Sequence, residues 1–144
     1  TRPTAAPYTN KPPSKRQVSP IIRVDVGWVL QIQSAISPLN VPISDWGNLG
    51  YMADRHKFER ERGALYYEEA ASRAATFLHT ALLLRPFTDY NLVIGWACTS
   101  QYMHVSGQPL QAEDDDLYEL AQAVRAQEAD LRTVAQRLES WRTE

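Results

Sequence analysis

The fold is decided by residues 66–107, which read YYEEAASRAATFLHTALLLRPFTDYNLVIGWACTSQYMHVSG. In the first half, apolar side chains recur at three- and four-residue spacings, at Ala70, Ala71, Ala74, Ala75, Phe77, Leu78, Ala81, Leu82 and Leu84. The second half repeats the pattern, at Leu92, Val93, Ile94, Trp96, Ala97, Cys98, Tyr102, Met103 and Val105. A helix that is apolar on most of its circumference belongs in the middle of a domain. The stretch therefore predicts two buried central helices.

The residues between the two apolar runs predict a short, tight loop. Pro86 cannot continue a helix, and its ring disfavours the helical conformation for Arg85. Gly107 follows the last apolar residue of the second run, at a position where many helices end on glycine. The sequence thus predicts a helix–loop–helix, with the loop ending in Asn91 at the start of the second helix.

This helix–loop–helix resembles the signature of the Fic/Doc (Fido) family, H-P-F-x-D-G-N-K-R-T, which lies in a loop between two central helices. The corresponding residues are Arg85-Pro86-Phe87-Thr88-Asp89-Tyr90-Asn91-Leu92-Val93-Ile94. Flanking residues also match the family pattern, namely Leu49, Gly63, Tyr66, Ala74, Ala75 and Leu78 before the loop and Met103-His104-Val105-Ser106-Gly107 after it. The likeness covers residues 24–141 and is closest to the short Doc-like members. It implies an all-α, Fic/Doc-like domain of about six helices around the central helix–loop–helix.

Four positions depart from the family signature. In the family, a histidine takes a proton from the target hydroxyl, a glycine lets backbone N–H groups approach phosphates, and a lysine and an arginine neutralise them. This chain has Arg85, Tyr90, Leu92 and Val93 at those positions. Arginine stays protonated because its pKa lies above about 12, so Arg85 cannot act as a base at neutral pH. The resemblance therefore implies the fold without the standard AMP-transfer or Doc-type kinase activity, and we expect no cofactor.

The candidate pocket residues are Arg85, Asp89, Tyr90 and Asn91, and two roles stay open for each polar one. Arg85 either binds a small anionic ligand as a bidentate fork or pairs with Asp89 and closes the site. Asn91 either binds the same anion at the helix start or caps a backbone N–H two or three residues later. Asp89 either meets a metal, as the family implies, or makes an Asx turn. We name Arg85 and Asn91 as ligand-binding residues and expect no metal.

Other chemically reactive residues have structural explanations. His79 lies more than one helical turn from Arg85, so we expect a partly buried, hydrogen-bonded histidine rather than a displaced base. Cys98 is the lone cysteine and lies in a predicted buried helix, where it packs as a small hydrophobe. The four acids at residues 113–116 suit the first turn of a helix, because the helix dipole favours negative charge there.

Around this centre the chain divides into a basic, proline-rich arm, residues 1–22, and a helical domain, residues 23–144. Five basic residues and no acid precede Asp25, and the arm has five prolines. Such a segment buries too little apolar surface to offset its ordering entropy, so we expect a flexible or extended arm. Further helices are predicted after Asp25 and at residues 48–58, 113–125 and 127–141, with a short extended piece at residues 41–43.

Composition indicates a single-domain, cytoplasmic protein. The 144 residues fit one domain, no apolar run is long enough for a membrane helix, and no leader resembles a signal peptide. A single cysteine suits a reducing compartment, and a net charge of −2 gives no case for nucleic acid. The chain begins at Thr1, which we interpret as a processed or trimmed product.

Three functions from different classes fit these observations. The first, which we favour, is a degenerate Fic/Doc-like protein that acts as a binding or regulatory module, with a protein partner or as a homodimer. The second is a repurposed enzyme that binds a small anionic or nucleotide-derived substrate at the altered loop. The third is a toxin-like member of a toxin–antitoxin pair. The joint loss of the base and the phosphate-binding side chains argues most strongly against the third.

Overall fold

The computed structural model describes residues 21–36 and 41–143, and within them every long element is a helix. The α-helices are α1 (Val26–Ile36), α2 (Trp46–Asp54), α3 (Ala70–Leu84), α4 (Asn91–Val105), α5 (Asp114–Arg125) and α6 (Leu131–Ser140), with 3₁₀ turns at Arg55–Lys57 and Glu61–Gly63. The predicted all-α fold of about six helices is confirmed. In the described ranges, none of these helices is both long and apolar enough to cross a membrane. Residues 1–20 of the predicted arm lie outside the described residues.

Helices α3 and α4 form the centre of the fold, as the apolar pattern predicts. Helix α3 contacts α2, α4, α5 and α6, so it is buried on nearly every side. The two central helices approach closely at Gly95, where an added Cβ would lie 2.7 Å from the Cβ of Ala81. Helix α4 packs mainly on α3 and α1. Its far side therefore faces solvent, and Val93 and Val105 are exposed rather than buried as predicted.

Capping residues determine several helix ends. The carboxylate of Asp25 accepts a hydrogen bond from the N–H three residues later, so it caps α1 as predicted. Gly107 follows the end of α4 with a φ of 81°, also as predicted. The last helix starts four residues later than predicted, because Gln127 has a left-handed backbone and Asp130 provides the cap of α6.

The described part of the N-terminal segment is attached to the helical core. The hydroxyl of Tyr102 donates a hydrogen bond to the carbonyl of Ile22 at 2.6 Å. The Lys57 ammonium group donates to the carbonyl of Val24 at 2.8 Å. The chain is therefore fixed against α4 and the first 3₁₀ turn before α1 begins.

Candidate functional site

The loop that joins α3 to α4 begins with a left-handed residue. Arg85 has a φ of 47°, and its N–H donates to the carbonyl of Ala81 at 3.1 Å, which closes the last turn of α3. Pro86 keeps Arg85 out of the right-handed helix, as expected, and the chain makes the left-handed turn with which many helices end. This conformation costs a residue with a side chain about 1–2 kcal/mol, so the surrounding contacts must hold the turn in place.

The buried side chain of Asn91 forms hydrogen bonds that hold the loop together. Its Oδ1 accepts a hydrogen bond from the N–H of Phe87 at 3.0 Å, and its Nδ2 donates to the Phe87 carbonyl at 2.8 Å. Asn91 is 4% exposed and Phe87 is 1% exposed, so both groups are removed from water. The expected cap of an N–H further along α4 is wrong, because Tyr90 occupies the capping position and the Asn91 side chain turns back into the loop. Binding of an anion by Asn91 stays a prediction.

Residues 42–48 support the loop from outside. The backbone N–H of Ser44 donates to the Pro86 carbonyl at 2.8 Å, and the N–H of Thr88 donates to the Pro42 carbonyl at 3.0 Å. Ile43 and Phe87 form an antiparallel bridge, which agrees with the short extended piece predicted at residues 41–43. Backbone groups of residues 86–88 are thus paired, which favours a rigid turn over a mobile one.

The two charged residues of the loop do not pair with each other. Four ion pairs form between described residues, and neither Arg85 nor Asp89 takes part in one. Asp89 instead accepts a hydrogen bond from the N–H of Tyr90 at 2.7 Å, which is one residue on rather than the two residues of an Asx turn. The side chain of Arg85 is exposed. Its charge is therefore available at the surface.

Exposed apolar side chains belong to the elements that meet at this loop. Trp46 is 64% exposed, and its neighbours Ser44 and Asn48 bond to the carbonyls of residues 84–86. Tyr90 and Val93 are each about half exposed at the start of α4, and Leu84 is exposed at the end of α3. We call this group the loop surface, formed by Trp46, Leu84, Arg85, Tyr90 and Val93. Large apolar side chains grouped at a protein surface often mark a binding site.

Three cavities lie away from this loop. One has a volume of about 560 Å³ and lies between residues 66–72 and α6. Two smaller ones, of about 480 and 430 Å³, are lined by residues 23–31 and 60–64. None of the three has a lining residue from the loop 85–91.

A buried arginine joins two segments in a way that the sequence pattern did not predict. Arg73 on α3 is 6% exposed, and its Nε donates to the hydroxyl of Tyr102 at 2.9 Å. Its Nη1 donates to the carbonyls of Tyr67 and Glu68, at 3.2 and 2.7 Å. Arg73 therefore fixes the segment before α3 against α4. The only sequence sign of this role is a charged residue within an alanine-rich helical run.

Burial favours the uncharged forms of two histidines and of the cysteine. Arg55 donates to Nδ1 of His79 at 3.0 Å, and burial together with this guanidinium lowers the pKa of His79, as suits the predicted hydrogen-bonded histidine. Burial, followed by the charge of Lys57, lowers the pKa of His56 to about 4. Burial raises the pKa of the Cys98 thiol to about 12. Among the described residues, no group of three or more His, Cys, Asp or Glu is placed to hold a metal ion.

No protein-family model matches the sequence, and no curated protein matches it. The resemblance to the Fic/Doc family therefore stays a prediction, carried by the residues of the loop and its flanking helices.

Proposed function

We propose that this chain is a Fic/Doc-related domain without the standard transfer chemistry, and that it acts by binding a partner protein at the loop surface. The observation that carries this proposal is the loop itself. An exposed Arg85 lies where the family has its base. The side-chain amide of Asn91, a retained signature residue, is hydrogen-bonded to the backbone of Phe87.

The chemistry of these positions supports binding rather than transfer. A general base contributes about 10²–10⁴-fold to a rate, and Arg85 cannot replace it. Leu92 is half buried and Val93 is exposed, and neither brings a charge to a phosphate. Loss of both the base and the electrostatic stabilisation leaves little of the ancestral reaction.

Local geometry gives the family resemblance some support. Tyr90 has a φ of 64°, and the family signature has glycine at that position, the residue that adopts this conformation at the lowest cost. The segment before α3 also folds back on itself, because Glu59 and Leu65 form an antiparallel bridge. Catalytic members of the family have a target-gripping flap in this region.

Capture of partners on the immobilised chain tests the binding role. We expect a protein that is retained by the unmodified chain and lost when Trp46 and Tyr90 are both changed to serine. The matched control is Tyr118→Ser, which removes an equally exposed aromatic residue from α5. Identical protein sets on all three baits would contradict the proposal.

One observation favours the repurposed enzyme as a second candidate. Arg85 is exposed and unpaired within the described residues, so it is free to bind a phosphate or carboxylate. Sugar phosphates, nucleotides or dicarboxylates should then raise the melting temperature. Arg85→Gly should abolish that increase without destabilising the loop, because glycine suits the left-handed turn. If no anion shifts the melting temperature, this candidate is wrong.

A further inference from the structure

The cavity between residues 66–72 and α6 is a groove with two different walls. One wall is the segment before and at the start of α3, which contributes Tyr66, Tyr67 and Glu69. The other wall is α6, which contributes Arg132 and Glu139, and the small side chain of Ala135 forms part of the lining. A volume of about 560 Å³ lies within the range of small-molecule sites, about 300–1,000 Å³.

The tyrosine wall is held in place before any ligand arrives. The ring centroids of Tyr66 and Tyr67 are 4.8 Å apart in an edge-to-face arrangement, and Tyr66 remains 59% exposed. The N–H of Tyr66 donates to the Phe58 carbonyl, and the Tyr67 hydroxyl accepts from Nε of Arg55 at 3.3 Å. The guanidinium of buried Arg73 donates a hydrogen bond to the Tyr67 carbonyl. Rings fixed in this way offer apolar contact area at little cost in conformational entropy.

Three charged residues line the groove, and one acid and one base among them have no ion-pair partner within the described residues. The carboxylate of Glu139 forms an ion pair with the guanidinium of Arg142 at 3.1 Å. Glu69 and Arg132 are exposed, and within the described ranges neither side chain takes part in an ion pair or a hydrogen bond. The lining carries two carboxylates against one guanidinium, which disfavours a polyanion such as a nucleotide. A simple cation is disfavoured by Arg132.

We propose that this groove binds a short peptide with both termini free. The peptide carboxylate binds the Arg132 guanidinium, its ammonium group binds Glu69, and an aromatic or aliphatic side chain packs on Tyr66 and Tyr67. The groove is independent of the loop surface. Ser72 lines the groove and Arg85 begins the loop, so the two sites lie about 20 Å apart along α3 at 1.5 Å per residue.

Titration of the full chain with phenylalanyl-alanine, its N-acetyl form and its C-terminal amide tests this site. We expect saturable binding of the free dipeptide below about 10 mM, and a loss of at least about fivefold in affinity on capping either end. The loss caused by the amide should disappear in Arg132→Gln, and the loss caused by acetylation should disappear in Glu69→Gln. If capping one end of the ligand has no effect once a given side chain has been changed, that side chain binds that end.

Matched variants separate the groove from a general charge effect. Arg125→Gln and Glu128→Gln remove exposed charges outside the groove, and should leave the dipeptide affinity within about twofold of the original. The proposal is overturned if the free dipeptide does not saturate, if the capped forms bind equally well, or if ATP binds more tightly than the dipeptide.

Discussion

At the scale of single residues, the Asn91 side chain makes more hydrogen bonds within the loop than that of Arg85 or Asp89. Its amide satisfies both backbone groups of Phe87 in a buried position, whereas Arg85 and Asp89 lie at the surface. The sequence indicated a polar residue at a helix start, and the local capping rule predicted a contact further along the helix. The actual contact depends on how the whole loop closes, so the local rule could not find it.

We expect Asn91→Ala to lower the free energy of unfolding by about 2–4 kcal/mol, because it removes two hydrogen bonds and leaves the N–H and carbonyl of Phe87 without partners. Denaturant unfolding measures this change. The control is Asp89→Ala, which removes an exposed contact in the same loop and should cost less than about 1 kcal/mol. Equal losses for the two variants would show that Asn91 has no special role in the loop.

His56 should make the fold sensitive to acid. Its Nε2 accepts a hydrogen bond from the N–H of Val24, and its ring is fully buried beside Phe77 and Tyr102. Because its pKa falls from 6.5 in the unfolded chain to about 4, the folded state favours the neutral ring. The stability from this residue is therefore complete above pH 6.5 and lost as the pH falls towards 4.

We expect the free energy of unfolding to fall by at most about 3 kcal/mol between pH 6.5 and pH 4 because of His56. The lowered pKa of His79 acts in the same direction. Denaturant unfolding at pH 7 and pH 4.5 measures it. His56→Gln should show a shallower dependence on pH, while His104→Gln, at an exposed position, should follow the original chain. If His56→Gln keeps the full dependence, other groups cause it.

At the scale of elements, the packing of α3 on α4 was predictable and several of its consequences were not. Apolar spacing predicted both helices because their buried positions recur with the helical period. The same spacing overstated the burial of α4, since the sequence does not show that α4 packs mainly on α3 and α1 and leaves part of its surface exposed. The start of α6 was missed because Gln127 adopts a left-handed backbone without being glycine.

The close approach of α3 and α4 gives a direct test. Gly95→Ala places a methyl group 2.7 Å from the Cβ of Ala81, so the helices must move apart. Gly50→Ala in α2 meets no atom within 4 Å and should gain from the higher helix propensity of alanine. We expect Gly95→Ala to be less stable than Gly50→Ala by about 1–3 kcal/mol in thermal or denaturant unfolding. Equal stabilities would show that the two helices do not meet as described.

At the scale of the whole molecule, the sequence predicted the all-α class and the place of the loop but missed the groove. The groove brings residues 66–72 against α6, and such distant segments meet only through tertiary packing around α3. Arg73 was missed for a related reason, since Tyr102 lies 29 residues away along the chain. The loop substitutions, by contrast, were visible in the sequence itself, and they carry the proposed loss of transfer chemistry.

The most direct measurement is incubation of the chain with ATP labelled on its α- or γ-phosphate, together with proteins of a cell extract. An active Fic-family enzyme in the same extract provides the positive control. Because Arg85 cannot accept a proton and no lysine or arginine follows Asn91 in the loop signature, we predict no transfer of either label above background. Robust labelling of any protein that requires this chain, and is absent from the extract alone, would contradict the account.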